Sequence, residues 1–235
     1  MKSLVFDSSS IITLTMNNLL YLLRLLKKNF NVNLYIPRGV KEEIIDRPMK
    51  SKRFKFGALM VVDLVKDGYL DLIQDERVDA LTKRLLYLSN HIFSAKGSWI
   101  KILHKGEMAA LALTVINKAE VFVVDERTTR MIVENPKGLA ELLHKKLHTY
   151  VSVNEENLSK FLNEVKGVNI IRSSEVVTFA FEKGLLDDWI TSESKKIASK
   201  HLRKELLDAL LWGVKLRGCS ISVDEINRIK KLQGF

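Results

Sequence analysis

The sequence LVFDSSSII, which spans Leu4–Ile12, places one acid between two apolar runs. The residues Lys2–Phe6 just before this acid are rich in β-favouring apolar types, which predicts a short buried strand. The three serines that follow Asp7 are residue types that cap the start of a helix. The stretch therefore predicts a buried strand that ends at Asp7 and a helix that begins just after it.

Strand-length apolar runs alternate with helical patterns along the rest of the chain. This alternation predicts an α/β domain with a mainly parallel sheet. The predicted strands are Lys2–Phe6, Asn33–Ile36, Leu70–Ile73, Glu120–Val124 and Val168–Ile171, and the predicted helices include Asn17–Asn29, Gly39–Asp46, Ala58–Lys66, Asp79–Asn90 and Glu107–Asn117.

The pattern becomes purely helical after about residue 176. We therefore expect an α/β domain over residues 1–175, with a helical insertion near 136–167, and a helical C-terminal extension over 176–235.

Composition narrows the class of protein. The chain has 235 residues, of which 46% are hydrophobic, so a sizeable core is expected. A single cysteine excludes an internal disulfide and a cysteine-based zinc cluster, and it fits a cytoplasmic protein. The first residues follow a strand pattern and not a signal-peptide pattern. The longest apolar stretch, at Leu19–Leu26, contains Arg24 and is too short for a membrane span.

The formal net charge of +10 favours a polyanionic partner, most simply a nucleic acid. A generally basic surface of the kind found in thermophile proteins is the alternative.

Two acids follow predicted strands directly. Asp7 comes after the first strand and Asp125 after the apolar strand Glu120–Val124. Ligands of open parallel sheets bind beyond the carboxyl ends of the strands, so both positions are candidates for a functional site. Capping or turn formation is the structural alternative for each acid.

Two further acids lie on predicted helices. Glu107 opens the helix Glu107–Asn117, which is apolar nearly all round and therefore expected to be buried. Glu43 lies at the edge of the apolar face of Gly39–Asp46. The alternatives are a favourable interaction with the helix dipole for Glu107 and a surface ion pair with Arg47 for Glu43.

Four converging carboxylates repel one another unless they are neutralised. Two carboxylates 4 Å apart cost about 4 kcal/mol at an effective dielectric constant of 20. Protonation is one solution, and a divalent cation is the other. A set of oxygen ligands favours Mg²⁺ or Mn²⁺.

These motifs resemble those of the PIN-domain family. The resemblance rests on VFDSSSII, IPRGVKEEI and KGEMAALALTVINKAEVFVVDERTTR, and it covers about 130 residues, Met1–Arg130. It implies a Rossmann-like α/β/α sandwich with metal-dependent ribonuclease activity. It also implies that four acids are both catalytic residues and metal ligands, namely Asp7, Glu43, Glu107 and Asp125.

The resemblance implies accessory roles for Ser9, a small hydroxyl residue near the site, and for Glu126, where the family often carries the second of two aspartates. The segments KGLLDDW and RGCSIS are similar to a PIN subgroup with a helical tail.

Cations and aromatics cluster between the second and third predicted helices. The segment Arg47–Phe56 includes Phe54 and Phe56, which are suited to stacking on unpaired bases. A solvated loop anchored to the core by the two phenylalanines is the alternative. The predicted nucleic-acid-binding residues are Lys50, Lys52, Arg53, Lys55, Arg127 and Arg130. The alternative for the two residues Arg127 and Arg130 is that they form ion pairs with Glu126 and Glu134.

The leading hypothesis is therefore a Mg²⁺- or Mn²⁺-dependent endoribonuclease acting on single-stranded RNA. The rival is a non-catalytic PIN-like module that binds RNA or protein. A nucleotide-dependent enzyme is disfavoured because neither a Gly-x-Gly-x-x-Gly motif nor a P-loop follows the first strand. A second copy of the chain and a small antitoxin-like protein are further expected partners.

Overall fold

The computed structural model describes residues 2–190 and 200–235. The strands, in chain order, are β1 (Ser3–Phe6), β2 (Asn33–Pro37), β3 (Asp71–Ile73), β4 (Phe93–Ala95), β5 (Ser98–Trp99), β6 (Val121–Val123), β7 (Ser152–Val153) and β8 (Ile170–Ile171). The α-helices are α1 (Ser8–Met16), α2 (Leu22–Phe30), α3 (Arg38–Lys41), α4 (Lys55–Lys66), α5 (Glu76–Ser89), α6 (Lys105–Ile116), α7 (Arg127–Glu134), α8 (Pro136–Leu147), α9 (Glu155–Glu164), α10 (Ser173–Glu182), α11 (Lys200–Leu216) and α12 (Val223–Leu232).

Five strands form one sheet in the order β3-β2-β1-β6-β8, and every neighbouring pair is parallel. The chain builds outward from β1 through β2 to β3, and then returns to the other side of β1 with β6. The order therefore reverses between β1 and β6, and the carboxyl ends of these two strands flank the position where such sheets bind ligands. The prediction of an α/β fold with a mainly parallel sheet is confirmed.

Helix α6 packs against β1, β2 and α5 in the centre of the molecule. Residues 108–114 of this helix are all buried, as its nearly uniform apolar sequence predicts. The helix also brings Glu107, in its first turn, to the core. In the described ranges, no helix combines the length and apolarity needed to cross a lipid bilayer.

A second, antiparallel sheet has the order β5-β4-β7. Its hairpin turns at Lys96 and Gly97, both with positive φ, as a tight two-residue turn requires. The sequence patterns did not predict these strands, because each is only two or three residues long and contains a serine. One of them, β7, lies between α8 and α9, within the segment expected to be a helical insertion.

The helix expected over Asn17–Asn29 is present as α2, but it begins five residues later, at Leu22. Asn18, between α1 and α2, has a φ of 56°. A left-handed residue cannot continue a right-handed helix, so the chain turns there. The cap of α1 also differs from the expected serines, because the Asp7 side chain itself accepts the hydrogen bond of the cap.

The expected helix Gly39–Asp46 is present as α3 followed by one π-helical turn, Glu42–Asp46. In this turn the Arg47 amide donates to the Glu42 carbonyl, five residues back, at 3.0 Å. The wider turn changes the direction of the side chains that follow α3, and π turns are frequent at functional sites.

The C-terminal helices α10, α11 and α12 contribute Val177, Leu211 and Ile226 to the main hydrophobic core. Helix α10 starts at Ser173 and therefore crosses the division predicted at residue 175. The division into two domains stays a prediction.

Arg172 anchors α12 to α10. Its guanidinium pairs with Glu175 and Glu225 and donates to the Ser220 carbonyl at 3.0 Å, and the residue is only 6% exposed. Partial desolvation acts to raise the pKa of Glu225, but hydrogen bonds from Ser222 and Arg172 outweigh it and lower that pKa to about 2. The buried cation therefore holds the last helix through two carboxylates.

We expect Arg172→Met to lower the free energy of unfolding by about 2 kcal/mol, below the 3–5 kcal/mol of a fully buried pair, since both carboxylates are partly exposed and can be solvated. Urea denaturation followed by circular dichroism measures the change. The control is Arg77→Met, which breaks an exposed pair with Asp75 and should leave the midpoint nearly unchanged. Equal midpoints for both variants would contradict the anchoring role.

Candidate functional site

Asp7 lies between β1 and α1 and is 1% exposed. Its Oδ2 accepts hydrogen bonds from the Ser9 amide at 2.9 Å and the Ser9 hydroxyl at 2.6 Å. Its Oδ1 is buried and has no hydrogen-bond partner among the described residues. One oxygen of this carboxylate is thus fixed by the helix cap, and the other is left without compensation.

Glu43, in the π turn, lies close enough to Asp7 for its charge to act on that carboxylate. Its Oε2 accepts a hydrogen bond from the Ser8 hydroxyl at 2.7 Å. Its carboxylate lies against the backbone of Gly106, where a Cβ atom would stand 2.5 Å from Oε1. The Gly-Glu pair at the start of α6 therefore has a steric reason, because a side chain at position 106 would displace Glu43.

Glu107 arrives from α6. Its Oε2 accepts a hydrogen bond from the His104 amide at 3.0 Å, so it closes the first turn of the helix as its position predicts. The Thr129 hydroxyl lies near this carboxylate without reaching hydrogen-bond geometry, and it is buried without a partner among the described residues. Helix capping thus holds one oxygen of Glu107 at the cleft.

The three acids share one electrostatic environment. Burial raises the pKa of Asp7, hydrogen bonds from Ser9 and Ser8 oppose this, and the Glu43 charge adds to it. Burial likewise raises the pKa of Glu107 to about 7, with contributions from the charges of Asp7 and Glu126. The Glu43 charge thus makes Asp7 harder to ionise, and the Asp7 charge has the same effect on Glu107. We call Asp7, Glu43 and Glu107 the acidic triad.

Asp125 follows β6, and the convergence of its carboxylate with the other acids stays a prediction. It is 1% exposed, but its Oδ1 and Oδ2 accept from the amide and the hydroxyl of Ser173, both at 2.7 Å. Its carboxylate thus caps the start of α10. Its backbone still touches the site, because the Asp125 amide donates to the Ser9 hydroxyl at 3.1 Å.

Ser9 links the two strand ends. The same hydroxyl that donates to Asp7 accepts from the Asp125 amide, so the accessory position implied for Ser9 matches its contacts. Glu126, at the start of α7, is exposed and accepts from the Thr128 hydroxyl at 3.3 Å. Its charge acts on Glu107, so Glu126 is a further acid beside the triad.

The donor atoms suit a hard divalent cation, because they are carboxylate oxygens and one of them is a buried orphan. Within residues 2–190 and 200–235, however, no three acidic, histidine or cysteine side chains are arranged to hold a metal ion. Small side-chain rotations of the triad would therefore be required for a cation to bind there.

The cations predicted to bind nucleic acid lie on the surface. Lys50, Lys52, Arg53 and Lys55 are all exposed near the end of the π turn. Phe56 is 75% exposed, which disagrees with the alternative that both phenylalanines anchor this segment to the core.

Of the two arginines on α7, Arg130 pairs with Glu134 at 3.7 Å, which was its alternative assignment, and Arg127 is exposed.

Sequence reasoning missed Ser173 and the part played by Ser8. Ser8 followed the first acid directly and could have been assigned to the site from that position. Ser173 lies 48 residues from Asp125, and no local pattern connects them.

Comparisons of the chain with family models, with curated proteins and with solved structures found no match in any of the three. The resemblance to the PIN-domain family therefore rests on the motifs and their spacing.

We expect Glu107→Gln to stabilise the protein at alkaline pH. The folded pKa of about 7 exceeds the ordinary value of 4.5, so the wild type loses stability as the pH rises between these values. Without added metal at pH 8, the free energy of unfolding of the variant, measured by urea denaturation, should exceed that of the wild type by up to about 3 kcal/mol. At pH 4 the two proteins should be equally stable. Exposed Glu141 provides the control Glu141→Gln, which should show no such pH dependence. If the difference in stability between the wild type and Glu107→Gln stayed the same from pH 4 to pH 8, the raised pKa of Glu107 would be contradicted.

Proposed function

We propose that this protein is a Mg²⁺- or Mn²⁺-dependent ribonuclease of the PIN type. The observation that carries the proposal is the buried Oδ1 of Asp7, which has no hydrogen-bond partner in the part of the chain that the structure describes. It lies beside two further acids at the point where the strand order reverses. Burial of a carboxylate oxygen without a hydrogen-bond partner destabilises the fold. A bound ligand that contacts this oxygen would remove that cost. The three neighbouring carboxylates point to a cation as that ligand.

In this proposal Asp7, Glu43 and Glu107 hold the ion, which supplies polarisation of the phosphate and a lowered pKa for a bound water. The chain keeps the ligands in place through three separate hydrogen bonds, from Ser9, Ser8 and the His104 amide.

The raised pKa of Glu107 belongs to the metal-free protein, and a cation bound to this carboxylate would replace its proton. Asp125 supports the site indirectly, because it joins the β6 end to α10.

One observation favours the rival function. The described side chains do not form a three-ligand metal site, and a protonated triad would leave a PIN-like fold that binds nucleic acid without cutting it. Both functions use the exposed cations near α4, so binding alone does not separate them. The cytoplasmic location and the two protein partners, a second copy and an antitoxin-like protein, stay predictions.

Asp7→Asn separates the two functions. We expect the wild type to cleave single-stranded RNA only with Mg²⁺ or Mn²⁺, and Asp7→Asn to lose at least about 100-fold in rate, since even outer-shell partners of a metal contribute 10–100-fold. Gel analysis of an end-labelled RNA measures the rate. The matched control is Asp46→Asn, an acid of the same π turn that pairs with Lys41 and should keep full activity. RNA binding without metal-dependent cleavage by the wild type would favour the non-catalytic module.

A metal titration tests the cation independently of RNA. At a Mn²⁺ concentration of about 100 times its dissociation constant, binding should add about 2.7 kcal/mol to the stability of the wild type. The thermal midpoint of Asp7→Asn should respond far less, while that of Asp46→Asn should rise like the wild type. Equal responses of all three proteins would exclude Asp7 as a ligand.

A further inference from the structure

An apolar groove with a cavity of about 550 Å³ opens beside Glu43. It lies between α1 and the chain that runs from the π turn into α4. Four of its apolar residues are well exposed, namely Ile12 at 45%, Met16 at 40%, Phe54 at 45% and Phe56 at 75%. Single exposed apolar residues are ordinary, but several around one concave surface are typical of a binding site.

Cations border the same groove. Arg53 lies over the ring of Phe54, with the guanidinium carbon 5.1 Å from the ring centre. Arg217, which follows α11, lines the groove together with it, and both arginines are exposed. The chain thus brings two positive charges from distant positions to the rim of an apolar surface.

The acidic triad creates a difficulty that this groove resolves. Uncompensated carboxylates repel the phosphates of a nucleic acid, so a substrate must gain its affinity outside the triad. Flanking cations supply part of it by neutralising phosphates. Stacking of unpaired bases on aromatic rings supplies about 1–3 kcal/mol per base, irrespective of sequence.

We propose that this groove is a nucleobase subsite, in which an unpaired base of the substrate strand stacks on Phe54 or Phe56 while Arg53 and Arg217 pair with its phosphates. Glu43 is common to the groove and the triad, so a base bound there places the neighbouring phosphodiester toward the acids. The identification of that phosphodiester as the cleaved bond rests on the proposed function. A single strand is favoured over an apolar protein segment because two arginines border the groove.

The subsite is tested by binding of a fluorescent single-stranded RNA in EDTA, which prevents cleavage. Phe56→Leu and Phe54→Leu keep an apolar side chain but remove the ring. We expect at least one of them to weaken binding by about 5- to 100-fold. Replacement of the same residue by Tyr should restore the affinity. The control is Tyr150→Leu, since Tyr150 is as exposed as Phe56 but does not line the groove, and it should leave the affinity unchanged.

An RNA with abasic sites keeps the phosphates and removes the bases. It should bind the wild type as weakly as the intact RNA binds the leucine variant with reduced affinity. Arg217→Gln, in contrast, should lower the affinity for the intact and the abasic RNA by the same factor. Unchanged affinity of both leucine variants, or equal binding of abasic and intact RNA, overturns the subsite. A groove that binds only an apolar peptide overturns it as well.

Failure of the subsite and failure of the proposed nuclease give different results. If the RNA is cleaved in an Asp7-dependent way but its binding does not depend on the bases, only the subsite is excluded. Base-dependent binding without any metal-dependent cleavage leaves the subsite in place and removes the nuclease.

Discussion

The hydrogen bonds between Asp7 and Ser9 are the interaction on which the site depends. They cap α1 and fix one oxygen of a buried carboxylate whose charge interacts with two more acids. Because the Ser9 hydroxyl also accepts from the Asp125 amide, the same group joins the ends of β1 and β6. The crevice between these strands is therefore built around one serine and the acid that precedes it by two residues.

The energetic character of the site follows from this arrangement. A fold gains nothing from burying carboxylates beside one another, and the raised pKa values of Asp7 and Glu107 express that cost. Gly106 and the π turn allow Glu43 to approach closely, so the backbone is also adapted to the cluster. Such local conflicts with stability are expected at functional sites and are uncommon elsewhere.

The sequence predicts the parts of the fold that depend on local patterns. β1, β6 and α6 are continuous apolar runs, and the acids that follow or open them could be located from their position alone. The sequence does not predict the turn around Asn18 that delays the start of α2, nor the two- and three-residue strands β4, β5 and β7. The orientation of Asp125 was also beyond local reasoning, because its partner Ser173 belongs to a helix distant in the chain.

The clamp of Arg172 on Glu175 and Glu225 has a consequence for the order in which the protein matures. All acids of the site lie within the first 126 residues, but Asp125 is oriented by Ser173, whose neighbour Arg172 is paired with a residue of the last helix. During synthesis the amino-terminal strands and α6 can assemble early, while this side of the crevice waits for α12 to leave the ribosome. A nascent chain would thus acquire its complete site only after α12 has been synthesised.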